Sequence, residues 1–113
     1  MPRFVILEHD HPVLHWDFMI EAGSVLATWR LSSPPAPRDT IRAERIGDHR
    51  LAYLEYEGPV SGGRGTVTRW DGGDFQWLDD ADDRKVVRLK GSRLDGTLRL
   101  ERTTEGAWDG NFC

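Results

Sequence analysis

Apolar and polar residues alternate with a period of two along much of this chain, which puts successive side chains on opposite faces of an extended backbone. Arg3-Phe4-Val5-Ile6-Leu7 reads as a first strand over about residues 3–8. From residue 14 to residue 21 the alternation is strict. Leu14, Trp16, Phe18 and Ile20 make an apolar face and His15, Asp17, Met19 and Glu21 the opposite one, the pattern of a half-buried strand. Glu21-Ala22-Gly23-Ser24 reads as a tight turn, with Val25–Leu31 as the hairpin partner. Prolines at 34, 35 and 37 then remove amide donors and favour an extended crossover, so residues 32–39 are expected on the surface. Thr40–Ile46 alternates weakly and predicts a short strand. Asp48 stands where an N-cap would, and Leu51 and Leu54 are at helical spacing, so His49–Leu54 predicts a single helical turn.

The second half continues in short strands. Glu57–Gly65 is a glycine-rich crossover that lacks the Lys-Ser/Thr ending of a phosphate P-loop. Thr66–Trp70 and Phe75–Leu78 flank Asp71-Gly72-Gly73-Asp74, which predicts a hairpin turn. Asp79–Asp83 is an acidic tip without the glycine and glutamate of an EF-hand, hence a solvated turn. Arg84–Lys90 and Leu94–Arg102 form a last hairpin around Gly91-Ser92. Many short strands at regular spacing indicate a barrel or a sandwich, and closure removes exposed edges. The expected fold is mainly β: a compact closed or nearly closed barrel with one or two short helical turns, as a single domain over residues 1–113. Trp16, Phe18, Trp29 and Val67 are expected in its packing.

Composition changes this picture little. The formal net charge is −4 and the pI about 5.5, so no global basic field advertises nucleic acid. Thirteen arginines stand against two lysines. Arginine is the better bidentate partner for phosphate, although a base-composition bias of the genome produces the same excess. The one cysteine, Cys113, permits neither an internal disulfide nor a cysteine zinc site. No long apolar run and no signal-peptide pattern occurs, so a cytoplasmic protein without a membrane partner is expected.

The chemistry concentrates early. Three of the four histidines lie between His9 and His15. His15 and Asp17 share a strand face, roughly 7 Å apart at about 3.3 Å per residue. His11-Pro12 sits where the connection must bend, so the first strand can run back past the second and bring His9 to His15. Two imidazoles and a carboxylate on rigid strands make a candidate three-point site for a divalent cation. Histidines near turns are often exposed and idle. Here both second-strand candidates face away from an apolar stripe, and a second polar cluster, Asp48-His49, supplies the fourth histidine.

An ordered set of motifs runs through the chain. Arg3-Phe4-Val5-Ile6-Leu7-Glu8-His9-Asp10 is followed by His15-Trp16-Asp17-Phe18-x-x-Glu21 and Asp48-His49-x-Leu51-x-Tyr53. Tyr56-Glu57-Gly58, Gly65-Thr66-Val67, Trp70-Asp71 and Leu89-Lys90-Gly91-x-x-Leu94-x-Gly96 come next. Together they resemble the 3′-phosphoesterase domain of bacterial DNA ligase D, a multidomain end-joining ligase, over about residues 3–102. The resemblance implies a compact β-barrel and metal-dependent removal of a 3′-phosphate or terminal ribonucleotide, leaving a 3′-hydroxyl. It places metal ligands on His9, His15 and Asp17, with manganese the usual metal and zinc or another divalent cation the alternative. It places an active-site histidine on His49 and a phosphate-contacting tyrosine on Tyr53. The implied partners are nucleic-acid 3′ ends and a repair ligase or polymerase.

The chain departs from that pattern in places. Met19 stands where the family usually has an arginine, and Gly47 where it has an acidic residue. The family's phosphate-binding arginine aligns near Ile41, so Arg42 or Arg45 is expected to substitute through a register shift. The ligase-linked N-terminal arm has no counterpart before His9, so activity is expected to be weakened. Ala107–Cys113 does not resemble the family's final apolar strand. Two alternative functions remain open: a non-catalytic module binding metal and nucleic-acid ends, and a phosphoesterase for a small phosphorylated molecule.

Overall fold

Successive hairpins join edge to edge until the sheet meets itself. The computed structural model describes residues 1–103 and 105–113. Its strands are β1 (Arg3–His9), β2 (His15–Ala22), β3 (Val25–Leu31), β4 (Thr40–Arg50), β5 (Gly58–Pro59), β6 (Thr66–Ala81), β7 (Arg84–Gly91), β8 (Asp95–Arg102) and β9 (Trp108–Phe112). One 3-10 turn, Leu51–Leu54, follows β4. The ladder order β1-β2-β3-β4-β9-β8-β7-β6 is closed by β6 pairing back to β1, with short β5 added beside β6. The result is an eight-stranded closed antiparallel barrel, as expected from the spacing of the strands.

Eight strands enclose a lumen just wide enough for side chains to fill. Phe4 and Ile6 of β1, Phe18 and Ile20 of β2, Trp29 and Leu31 of β3, and residues of β4 and β6–β9 fill it as one apolar cluster. The lumen is thus lined by apolar side chains from nearly every strand. A second cluster lies on the outer face of the barrel, where Val5, Leu7, Met19 and Leu26 of β1–β3 and Val67 of the adjoining β6 are roofed by Leu54, with Tyr53 and Val60 packed against them. The half-buried reading of residues 14–21 is therefore corrected. Both faces of β2 are covered, and Met19 on the supposed solvent face is 1 % exposed. Leu14, expected in the packing, lies before the strand and is exposed.

Other local expectations change for identifiable reasons. Asp71-Gly72-Gly73-Asp74 is no hairpin turn. It lies inside β6, a continuous 16-residue strand that pairs with β1 at one end and with β7 at the other. The glycines serve close approach there: a Cβ on Gly73 would overlap the Lys90 carbonyl and reach 3.0 Å from Gly91 Cα. Asp71 is buried, and its carboxylate accepts backbone N–H bonds from Ser92 (2.8 Å), Arg93 (3.2 Å) and Leu94 (2.8 Å), fixing the β7–β8 turn. The strand expected over Thr40–Ile46 continues to Arg50, and His49 pairs with Leu26 on β3 instead of opening a helix. The 3-10 turn after it has Arg50 at its N-cap and no side-chain cap. The terminal segment forms β9 between β4 and β8, so it completes the barrel despite its dissimilar sequence. The loop at 32–39 runs over the surface as expected, with Pro35 tucked in.

Candidate functional site

The antiparallel β1–β2 ladder sets the geometry of the site. His9 pairs directly with His15, and Asp17 lies two residues further along β2 on the same face. The rings of His9 and His15 are 4.8 Å apart between centroids. Asp17 Oδ1 is 3.2 Å from His15 Nε2, and Asp17 Oδ2 is 3.6 Å from His9 Nδ1. One ligand atom from each residue lies within 4.8 Å of the other two. Among the described residues this is the only cluster of three or more His, Cys, Asp or Glu side chains so arranged.

The hydrogen bonds around the cluster decide what it can hold. His9 donates from Nε2–H to the Arg64 carbonyl at 2.8 Å, and His15 donates from Nδ1–H to the Val13 carbonyl at 2.8 Å. With those protons placed, the remaining ring nitrogens of the neutral imidazoles carry lone pairs. Both lone pairs and the Asp17 carboxylate then face one another as acceptors. His15 and Asp17 are each 3 % exposed, and His15 Nε2 and Asp17 Oδ1 have no hydrogen-bond partner among the described residues. Buried acceptors without a donor are costly, and a cation resolves them all at once. Two nitrogens and one carboxylate oxygen suit a divalent transition metal with coordination positions left open, and the backbone carbonyls supply the outer partners such ligands need. The residues present fit the implied metal.

The backbone carries the support. Gly65 has φ +77°, and a Cβ there would come 2.6 Å from His11 Cβ and overlap the Asp10 carboxylate. Its absence lets the 10–11 bend close on residues 64–66, where Thr66 N–H also donates to Asp10 Oδ1 at 2.8 Å. That contact delivers the Arg64 carbonyl to His9.

A cleft of about 380 Å³ opens beside the cluster. His9, Asp17, Arg30, His49, Tyr53 and Arg64 line it, together with Met19. His49 and Tyr53 thus join the first cluster, though by a different route from a shared helix face. His49 comes off the end of β4, donates from Nδ1–H to the Gly47 carbonyl at 2.9 Å, and sits edge-on to the Tyr53 ring at 5.6 Å. This bond leaves His49 Nε2 as the nitrogen available to a ligand. His15 lies behind Asp17 and faces a second groove of about 400 Å³, which Arg30 also lines.

Arg42 and Arg45 are not brought to the cleft. Arg42 is exposed on β4 and lines the second groove. Arg45 pairs across the ladder with Trp29, stacks on its ring at 4.5 Å and meets Asp48 at 3.3 Å, so it occupies the opposite face of β4. The arginines that line the cleft are Arg30 and Arg64. Hairpin arithmetic was the available signal for Arg30. A two-residue turn pairs Ala22 with Val25, and the same register sets Arg30 directly opposite Asp17.

Comparison with known proteins agrees with this geometry. The family model described as the DNA ligase D 3′-phosphoesterase domain matches residues 7–102, a span that contains all three cluster residues together with His49 and Tyr53. The chain is 32% identical over 114 residues to the multifunctional non-homologous end joining DNA repair protein LigD of Mycobacterium tuberculosis, covering 93% of this chain and 15% of that protein. It is 31% identical over 111 residues to the multifunctional non-homologous end joining protein LigD of Pseudomonas aeruginosa, covering 89% of this chain and 13% of that protein. The chain therefore spans about one-seventh of the length of these curated relatives. With most of its length inside the family match, this chain belongs to the DNA ligase D 3′-phosphoesterase domain family.

Proposed function

We propose that this chain is a metal-dependent phosphoesterase acting on nucleic-acid 3′ ends, removing a 3′-phosphate or a terminal ribonucleotide to leave a 3′-hydroxyl. The observation that carries the reading is the set of three converging acceptors, His9 Nδ1, His15 Nε2 and the Asp17 carboxylate, at the wall of a cleft shared with His49 and Tyr53. Manganese is the cation we favour, with zinc or another divalent ion as the alternative. Bound there, such an ion supplies Lewis acidity to a phosphoryl oxygen.

The chain's own residues divide the remaining work. His9, His15 and Asp17 hold the cation from one rigid ladder. With Nδ1–H bonded to the Gly47 carbonyl, His49 donates a hydrogen bond or a proton from Nε2 to a phosphate or leaving oxygen in its doubly protonated form. The Tyr53 hydroxyl is a second donor on the same side, its ring held edge-on by His49 and Tyr56. Release of a 3′-hydroxyl suits a polymerase or ligase as the next actor, as the end-joining names of the relatives suggest. Among the described residues no helix is long and apolar enough to cross a membrane.

The test is phosphate release from a 3′-phosphorylated oligonucleotide by purified protein, with manganese and with chelator. Manganese-dependent release is expected. Tight manganese binding without release would favour a non-catalytic end-binding module. Faster turnover of a small phosphomonoester than of the oligonucleotide would favour a small-molecule phosphoesterase.

A further inference from the structure

We propose that Arg30 is the cationic residue that grips the substrate's phosphate in this chain, supplying a positive charge that the motif residues His49 and Tyr53 do not. The inference rests on the phosphoesterase reading above and names the side chain that makes the site selective for a phosphate terminus.

Charge sets the requirement. A divalent cation beside the Asp17 carboxylate leaves about one positive charge, because both histidines bind as neutral rings. A terminal phosphate monoester brings about −1.5 to −2 at neutral pH. One further cation near the cluster restores balance, and a planar guanidinium matches phosphate oxygens in a bidentate way. Met19, next on the same face of β2 after Asp17, offers no charge.

Position then selects Arg30. It lies directly opposite Asp17 in the β2–β3 register, so the two side chains leave the same outer face of the barrel. It lines both the main cleft, with His9 and Asp17, and the groove that His15 faces, so it is shared by the two openings onto which the three ligand residues give. Its Nε is buried and has no hydrogen-bond partner among the described residues. Its ionic contact is to Glu44 at 3.8 Å, between side chains 42% and 68% exposed, a solvent-screened pairing easily exchanged for phosphate.

Of the other nearby arginines, Arg42 lines the groove that His15 faces but not the main cleft, and the rest are committed elsewhere. Arg64 lines the cleft, but its Nε and Nη2 are bonded to the Ser61 carbonyl (2.7 Å) and hydroxyl (3.2 Å), which hold it to its own loop. Arg69 donates to the Leu54 carbonyl at 2.8 Å. Arg45 stacks on Trp29 on the opposite face.

The experiment compares binding of a 3′-phosphorylated oligonucleotide with its 3′-hydroxyl counterpart by fluorescence anisotropy, using manganese-loaded protein under conditions too short for turnover. Arg30→Gln and Arg30→Lys are measured beside the wild type, with manganese affinity followed by calorimetry. The wild type should prefer the phosphorylated end. Arg30→Gln should lose that preference by ~10- to 100-fold, the worth of a charge-assisted bidentate contact. Arg30→Lys should keep part of it, because the charge remains and the fork does not. Manganese affinity should be unchanged or tighter in Arg30→Gln, since a neighbouring positive charge is gone. An unchanged preference in Arg30→Gln overturns the proposal, as does a wild type with no preference. Failure of the phosphoesterase reading looks different: the wild type would prefer the phosphorylated end, Arg30→Gln would lose the preference, and neither would release phosphate.

Discussion

Asp17→Asn should reverse the order of stability of wild type and variant according to whether metal is present. In the metal-free protein with His15 as its Nδ1–H tautomer, Asp17 Oδ1 and His15 Nε2 are 3.2 Å apart, both are buried, and neither carries a donor. Asparagine places an N–H donor at nearly the same point. It converts an acceptor–acceptor contact into a hydrogen bond, which removes the penalty of about 1–3 kcal/mol for an unpaired buried acceptor. The metal-free variant should therefore be more stable by roughly 1–3 kcal/mol, a rise in Tm of about 4–12 °C for a chain of this size. With manganese at a thousandfold excess over its Kd, the wild type should gain about 4.1 kcal/mol, or roughly 16 °C, which exceeds the variant's advantage, and the variant almost none. Thermal denaturation followed by circular dichroism, in chelator and in manganese, measures both limbs. A metal-free variant less stable than the wild type by several kcal/mol would refute the reasoning. It would mean that Asp17 serves as the counter-ion of a protonated His15, since breaking a buried ion pair costs about 3–5 kcal/mol.

Three further substitutions separate the parts of the site. His49→Ala should keep manganese affinity in calorimetry yet lower release of 3′-phosphate by about 10²–10³, the usual cost of removing one transition-state donor. Gly65→Ala should strain a backbone at φ +77° and push the 10–11 bend away, so His9 loses the Arg64 carbonyl and manganese affinity falls roughly 10- to 100-fold. Asp71→Ala should cost about 3 kcal/mol or more in chemical denaturation, because three turn N–H groups lose their shared acceptor. Its metal affinity should stay within a factor of about two, because Asp71 belongs to the β7–β8 corner and makes no contact with the cluster.

Much of this architecture was legible because strict alternation fixes a face. Residues 14–21 announce which side chains point together, and a two-residue turn fixes their register with the next strand. What alternation cannot reveal is a roof. Met19 reads as solvent-facing until Leu54, distant in sequence, is laid over it. Asp71-Gly72-Gly73-Asp74 carries every mark of a hairpin turn, yet the same glycines are what a long strand needs where another backbone crosses closely. Sequence states that a Cβ is missing there. Only the position of the Lys90 carbonyl states why. His49 was misplaced for a similar reason. Asp48 has the chemistry of an N-cap, but pairing with Leu26 on β3 is a stronger local constraint than one capping bond.

The division between ladder and roof also explains how one small barrel can carry a site without a hollow centre. The lumen is filled by apolar side chains from nearly every strand, so the donors must be mounted outside. The outer face of β1–β2 supplies three of them from a single hydrogen-bonded ladder, which fixes their spacing before any ligand arrives. His49, Tyr53 and Arg64 come instead from β4, the 3-10 turn and the loop before β6, each held by its own local contacts. Arg30 stands between the two groups, on β3 but opposite Asp17. Metal affinity should therefore follow substitutions in the ladder and in the single carbonyl that Gly65 delivers to it. Turnover and phosphate preference should follow the roof and Arg30. A set of variants in which the two properties always fell together would mean that ladder and roof move as one body.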